Sequence, residues 1–152
     1  MEYCIADAKA RGKSGVCMLG ADKQKAWLSD QKFAQKYGFT CVDRTADGYQ
    51  LLALSLDGSV PRFAEKAKSQ RIDEQELTVY YDDQCPFIPQ RVDKLRAYCE
   101  AHGIPARFIH VDTLAQAKAL PCVFNNLAVF YSGTFATVNL LDAAAVERML
   151  RK

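Results

Sequence analysis

Residues 77–89 read Leu77-Thr78-Val79-Tyr80-Tyr81-Asp82-Asp83-Gln84-Cys85-Pro86-Phe87-Ile88-Pro89, and their reading decides the fold of the second half of the chain. Leu77 to Tyr81 is β-branched and aromatic, which suits a strand. Pro89 has no N–H and prefers the first turn of a helix. It opens a predicted helix to His102, with Val92, Leu95, Tyr98 and Cys99 on one face and Gly103 as its stop. Cys85 therefore stands where a strand gives way to a helix.

Working outward, Ala106 to Val111 is a second predicted strand, followed by a short helix over Leu114 to Ala119. After Pro121 come strands at Leu127 to Tyr131 and Thr134 to Val138, separated by a turn at Ser132-Gly133. Asp142 caps a last helix through Leu150. From Glu76 to Lys152 the order is β-α-β-α-β-β-α. That is the order of a small thioredoxin-like domain, with a right-handed parallel crossover first and an antiparallel hairpin late.

Upstream, Met1 to Arg11 reads as a helix stopped by Gly12. Gly15 to Leu19 is a short apolar run that suits a buried strand. Trp27, Leu28, Phe33 and Tyr37 recur at helical spacing, which predicts a helix over Asp22 to Tyr37. Phe39 to Asp43 and Tyr49 to Leu56 are predicted strands joined by Ala46-Asp47-Gly48. Ser59 to Gln75 is polar and apolar-poor and reads as a linker, with a short helix at Pro61 to Lys68. The predicted division is 1–58, a linker at 59–75, and 76–152, all of class α/β.

The 152 residues are 49% hydrophobic and 25% charged, with a net charge of +2. That balance predicts no nucleic-acid partner. No apolar stretch approaches the ~20 residues that cross a bilayer, so no membrane partner is expected. Met1-Glu2-Tyr3 leads straight into a charged amphipathic segment, so a cytoplasmic location is expected. The six cysteines form no CxxC pair and no zinc spacing, so no metal is expected. Cys4, Cys17, Cys41 and Cys99 have apolar neighbours and are read as small buried hydrophobes.

Cys85 is the candidate catalytic thiol. At a strand–helix junction, unpaired N–H groups of the helix start favour a thiolate, the reactive form. Three features oppose this. Ile88 stands where a second cysteine would complete a dithiol. Asp82 and Asp83 lie just upstream. A helix beginning at Pro89 leaves Cys85 outside it. The reactive and structural readings both stay open. A thioredoxin-like fold places a cis proline before its third strand, beside the cysteine. Leu120-Pro121 takes that place, so Pro121 is a candidate cis proline and Cys122 a possible partner thiol for Cys85.

Two groups of motifs carry a family resemblance. Leu28-Ser29-Asp30-Gln31-Lys32-Phe33 with Tyr37-Gly38-Phe39 resembles the last third of GNAT N-acetyltransferases. Gln84-Cys85-Pro86-Phe87, Pro121 and Phe130-Tyr131-Ser132-Gly133-Thr134-Phe135 resemble the YoaP-like domain. Together, over nearly the whole chain, they resemble the YoaP family of GNAT acetyltransferases. The resemblance implies a truncated GNAT-like β-α-β-β unit followed by the thioredoxin-like domain. It implies acetyl-CoA as cofactor and acyl transfer to a small-molecule or protein amine in the full-length family. The loop that grips the coenzyme A pyrophosphate would precede the helix at Met1 to Arg11, so this chain alone is expected to bind no cofactor and to be inactive. The family's tyrosine proton donor, four residues before Gly38-Phe39, falls on Ala34. An asparagine of the same helix falls on Trp27. The alternatives are a monothiol redox or thiol-binding module using Cys85, and a non-enzymatic interaction module that self-associates through strand 15–19.

Overall fold

Alternation along Leu127–Tyr131 organises the larger part of the molecule. Leu127 and Val129 point to one face of a sheet, and Ala128 and Phe130 to the other. In this computed structural model residues 1–23, 25, 27–123 and 126–151 are described. Among them are six helices and seven strands in two sheets, a mixed α/β architecture. The chain divides into Met1–Ala64 and Glu65–Lys152.

The first unit holds α1 (Glu2–Ala10), β1 (Gly15–Ala21), α2 (Gln31–Gln35), β2 (Thr40–Arg44) and β3 (Tyr49–Ser55). Its antiparallel sheet has the order β1-β3-β2, so the last strand is central and β1 is an edge. Val16, Met18 and Leu54 flank buried Leu52, Ala34 and Phe39 on one face, and Met1 and Ile5 of the first helix pack there. A Cβ on Gly15 would lie 2.5 Å from the Leu54 carbonyl oxygen, which is why the strand can start only with glycine.

Among the described residues, the helix expected over Asp22 to Tyr37 spans only Gln31–Gln35. The Asp30 side chain accepts the Lys32 N–H and starts the helix there. Asp22 turns back to accept the Lys23 N–H. Trp27 meets Tyr49 at 5.9 Å from outside any helix, so its apolar spacing reflects one ring contact. Gln24 and Ala26 of the expected helix, and Lys152 at the end of the expected domain, lie outside the described residues.

The second unit comprises α3 (Glu65–Ser69), β4 (Leu77–Tyr81), α4 (Phe87–Ala101), β5 (Ala106–His110), α5 (Leu114–Lys118), β6 (Leu127–Tyr131), β7 (Thr134–Thr137) and α6 (Ala143–Leu150). The sheet order is β5-β4-β6-β7, with β4 and β5 parallel and the other pairs antiparallel. One face buries Leu77, Val79, Leu127 and Val129 under Ile88, Val92, Leu95 and Cys99 of α4 and Val146 of α6. The other face buries Cys122, Ala128 and Phe130, with Ile72, Tyr80 and Phe135 against them.

Residues 59–75, expected as a linker, make defined contacts at both ends. The Phe63 N–H donates to Asp43 at 2.8 Å within the first unit. Within the second, Ile72 N–H donates to the Gly133 carbonyl, Phe135 N–H donates to the Gln70 carbonyl, and Ile72 joins the Phe130 cluster. Ile72→Ala is therefore expected to lower the stability of the second unit by about 1–2 kcal/mol, at the low end for a half-buried isoleucine. A chemical-denaturation midpoint unchanged from wild type would contradict this packing.

Only Cys99 of the four cysteines expected to be buried is so; Cys4, Cys17 and Cys41 are exposed. The helix Glu2–Ala10 buries no residue, and Cys17 lies on an edge strand. Burial pushes the Cys99 thiol up from its ordinary value. The Tyr98 hydroxyl is also held up, first by desolvation and then by its hydrogen bond to Glu147. Both groups favour the protonated form in the fold. The stability they contribute is complete below the ordinary thiol value of ~8.5 and is lost as pH rises through the raised folded values. The second unit is expected to unfold at lower denaturant at pH 10 than at pH 8, with a smaller difference in Cys99→Val.

Candidate functional site

β4 and β5 run parallel, so their carboxyl ends open at one rim, with Tyr81 opposite His110 in the register. In an open sheet with parallel strands this is where ligands and reactive groups gather. Asp82, Asp83, Gln84 and Cys85 follow β4 there, and Asp112 follows β5.

Asp82 is 7% exposed, yet both its polar ends are engaged. Its N–H donates to the Asn126 carbonyl at 3.2 Å, and its carboxylate accepts the Gln84 N–H at 3.0 Å. The Asp83 carboxylate lies 2.9 Å from His110 Nε2, while His110 Nδ1 is 3.9 Å from Asp112. The Tyr81 ring stacks on His110 with centroids 5.0 Å apart, and Arg96 donates to the Tyr81 hydroxyl at 3.5 Å. Imidazole and carboxylate thus form an oriented pair able to hold or pass a proton.

Cys85 is half-buried and packs against the core beneath α4. The helix starts at Phe87 with Pro86 as its N-cap, two residues earlier than Pro89 predicts. The Ile88 N–H donates to the Cys85 carbonyl at 3.0 Å, so Cys85 immediately precedes the cap and lies close to the first-turn N–H groups. Pro89 falls in the first turn, where its missing N–H removes no helical bond. Among the described residues no hydrogen bond joins Cys85 to His110.

Two expectations for this rim fail. Cys122 is buried in the cluster with Ala128 and Phe130, on the face opposite the one that holds Cys85, so the two thiols are not brought together. Pro121 is fully buried, and among the described residues no peptide bond is cis, Leu120–Pro121 included. Native alkylation followed by peptide mass spectrometry is expected to modify Cys4 and Cys41 readily, and Cys99 and Cys122 only on unfolding. No Cys85–Cys122 disulfide is expected under mild oxidation.

His110 is the rim residue that sequence reading overlooked. Its signal is positional, as it ends the second of two parallel strands, level with the residues just before Cys85. No group of three His, Cys, Asp or Glu side chains among the described residues could hold a metal.

Residues 105–148 match the family described as YoaP-like. Over 152 aligned residues, 99% of this chain, the sequence is 34% identical to the "Uncharacterized N-acetyltransferase YoaP" of Bacillus subtilis (strain 168). The chain is similar to the YoaP family along nearly its whole length. It spans 61% of the length of that curated relative. No solved structure matches it. The YoaP-like segment takes in His110, Pro121 and Cys122 and begins after Cys85. No helix among the described residues is long and apolar enough to cross a membrane.

Proposed function

We propose that the chain is part of an acetyl-CoA-dependent N-acyltransferase. In this reading Met1–Ala64 is a GNAT-like portion and Glu65–Lys152 a thioredoxin-like domain. The observation that carries it is the 34% identity, along 99% of the chain, to a relative named as an N-acetyltransferase. The strand order β5-β4-β6-β7, with one parallel pair, supports the thioredoxin-like assignment. The acceptor is an amine of a small molecule or a protein. Its nitrogen attacks the thioester carbonyl, the C–N bond forms and the C–S bond breaks; the nitrogen sheds one proton to solvent, and the leaving coenzyme A thiolate takes one up. Ala34 stands where the family places its tyrosine proton donor, so another group protonates the thiolate.

The test joins the chain to the parts of the Bacillus subtilis relative outside the match. Acetyl-CoA is titrated into the fusion, and coenzyme A release is followed with a panel of polyamines and peptide amines. Saturable binding and amine-dependent release are expected. A cooperatively melting fusion that does neither overturns the reading.

A second reading, a thiol module at Cys85, is favoured by the early start of α4 and by the engagement of Asp83 with His110. Oxidised glutathione supplies the disulfide in its test. Cys85 attacks one sulfur, the mixed disulfide forms, and glutathione leaves as thiolate. Cys85 is expected to be modified faster than exposed Cys4 and Cys41, and equal rates would end this reading.

A further inference from the structure

The hairpin of β6 and β7 turns at Ser132-Gly133 with both residues at positive φ, +50° and +72°. Such turns match the twist of the paired strands, and serine rarely adopts this conformation. The turn and β7 form one wall of an open cavity of about 670 Å³, and α6 forms the other. That size falls within the range of small-molecule sites.

Ala136, Leu141 and Met149 give the cavity an apolar body. Its polar groups are the hydroxyls of Tyr131, Ser132 and Thr134 and the Arg148 guanidinium. Among the described residues, no Asp or Glu lines it. The nearest acidic residue along α6, Glu147, is turned elsewhere, accepting from Tyr98 and pairing with Arg151. Among the described residues, neither the Arg148 guanidinium nor the Tyr131 hydroxyl has a hydrogen-bond or ion-pair partner. The Thr134 hydroxyl donates to the Tyr131 carbonyl and is already used.

We propose that this cavity binds a small organic carboxylate with an apolar body, held by Arg148 and by the Tyr131 and Ser132 hydroxyls. One planar guanidinium matches a planar carboxylate by two parallel N–H···O bonds. The neighbouring hydroxyls donate to the same oxygens, and the apolar body replaces water against Ala136, Leu141 and Met149. Neither the acyl-transfer reading nor the Cys85 reading is needed for this site.

The test titrates 4-phenylbutyrate, its neutral analogue 4-phenylbutanol and the cation 4-phenylbutylamine into the full chain. Amide shifts and calorimetry provide the readouts. Saturable carboxylate binding is expected, with shifts at Tyr131, Ser132 and Ala145 and with the alcohol weaker by on the order of tenfold or more. Arg148→Met keeps an apolar stem on an exposed helix position. It is expected to remove the preference for the carboxylate and to leave alcohol binding and the melting curve unchanged. Ala145→Phe is expected to fill the cavity and block both ligands. The proposal is overturned if the alcohol or amine binds as tightly as the carboxylate, if Arg148→Met binds it unchanged, or if the carboxylate does not saturate.

Discussion

Phe130→Ala is expected to cost the second unit roughly 3–5 kcal/mol, the range for a phenylalanine removed from a packed core. Phe130 is fully buried in β6, where Tyr80 and Phe135 meet it edge-on at 5.7 and 5.6 Å. Each aromatic pair adds about 0.5–1.5 kcal/mol beyond the area it buries. The loss is a large share of the ~5–15 kcal/mol that holds an ordinary domain together. The face it empties also carries Ile72, so the hydrogen bonds of Ile72 to Gly133 and of Phe135 to Gln70 should open with it. Urea denaturation measures the energy, and hydrogen exchange at the Ile72 and Phe135 amides measures the opening. A cost below about 1 kcal/mol would mean that the face collapses around the missing ring, contrary to the range for such truncations.

The order of elements in the second half was legible because each carries its own local signal. Leu77 to Tyr81 is dense in β-formers, Val92, Leu95 and Cys99 repeat at helical spacing, and Asp142 caps through its own side chain. Cys85 could be placed for the same reason, since a junction between two well-marked elements is itself local. Properties set by pairing were not legible. Cys17 reads as buried until β3 is found between β1 and β2, which leaves β1 on the edge. His110 gains meaning only once β5 lies parallel to β4 and brings it beside Asp83. Cys122 follows a proline near the rim in sequence, yet the face it takes depends on packing against Ala128 and Phe130. The spacing of Trp27 and Leu28 predicts a long helix over 22–37, while Asp22 and Asp30 offer competing caps that the apolar pattern does not weigh.

Leu52→Ala is expected to unfold the first unit while leaving the second intact. Leu52 is fully buried in the central strand, opposite Met18 of β1 and Cys41 of β2, and its core partners are Ala34 and Phe39. Its Cδ1 would lie 3.0 Å from a Cβ on Gly20, so its side chain occupies the space that the glycine leaves. Truncation costs about 2–5 kcal/mol when the surroundings cannot close over the cavity. Here strands on both sides hold the backbone apart. A unit of this size buries only ~60% of its unfolded surface, so its margin is thin and a loss in that range approaches the whole of it. The second unit has its own cores, around Leu77 and Val79 and around Phe130, built from its own described residues. Hydrogen exchange read by peptide mass spectrometry should show protection lost across β1, β2 and β3 and kept across β4, β5 and β6. Equal loss in both sets would mean that the two units unfold as one cooperative body.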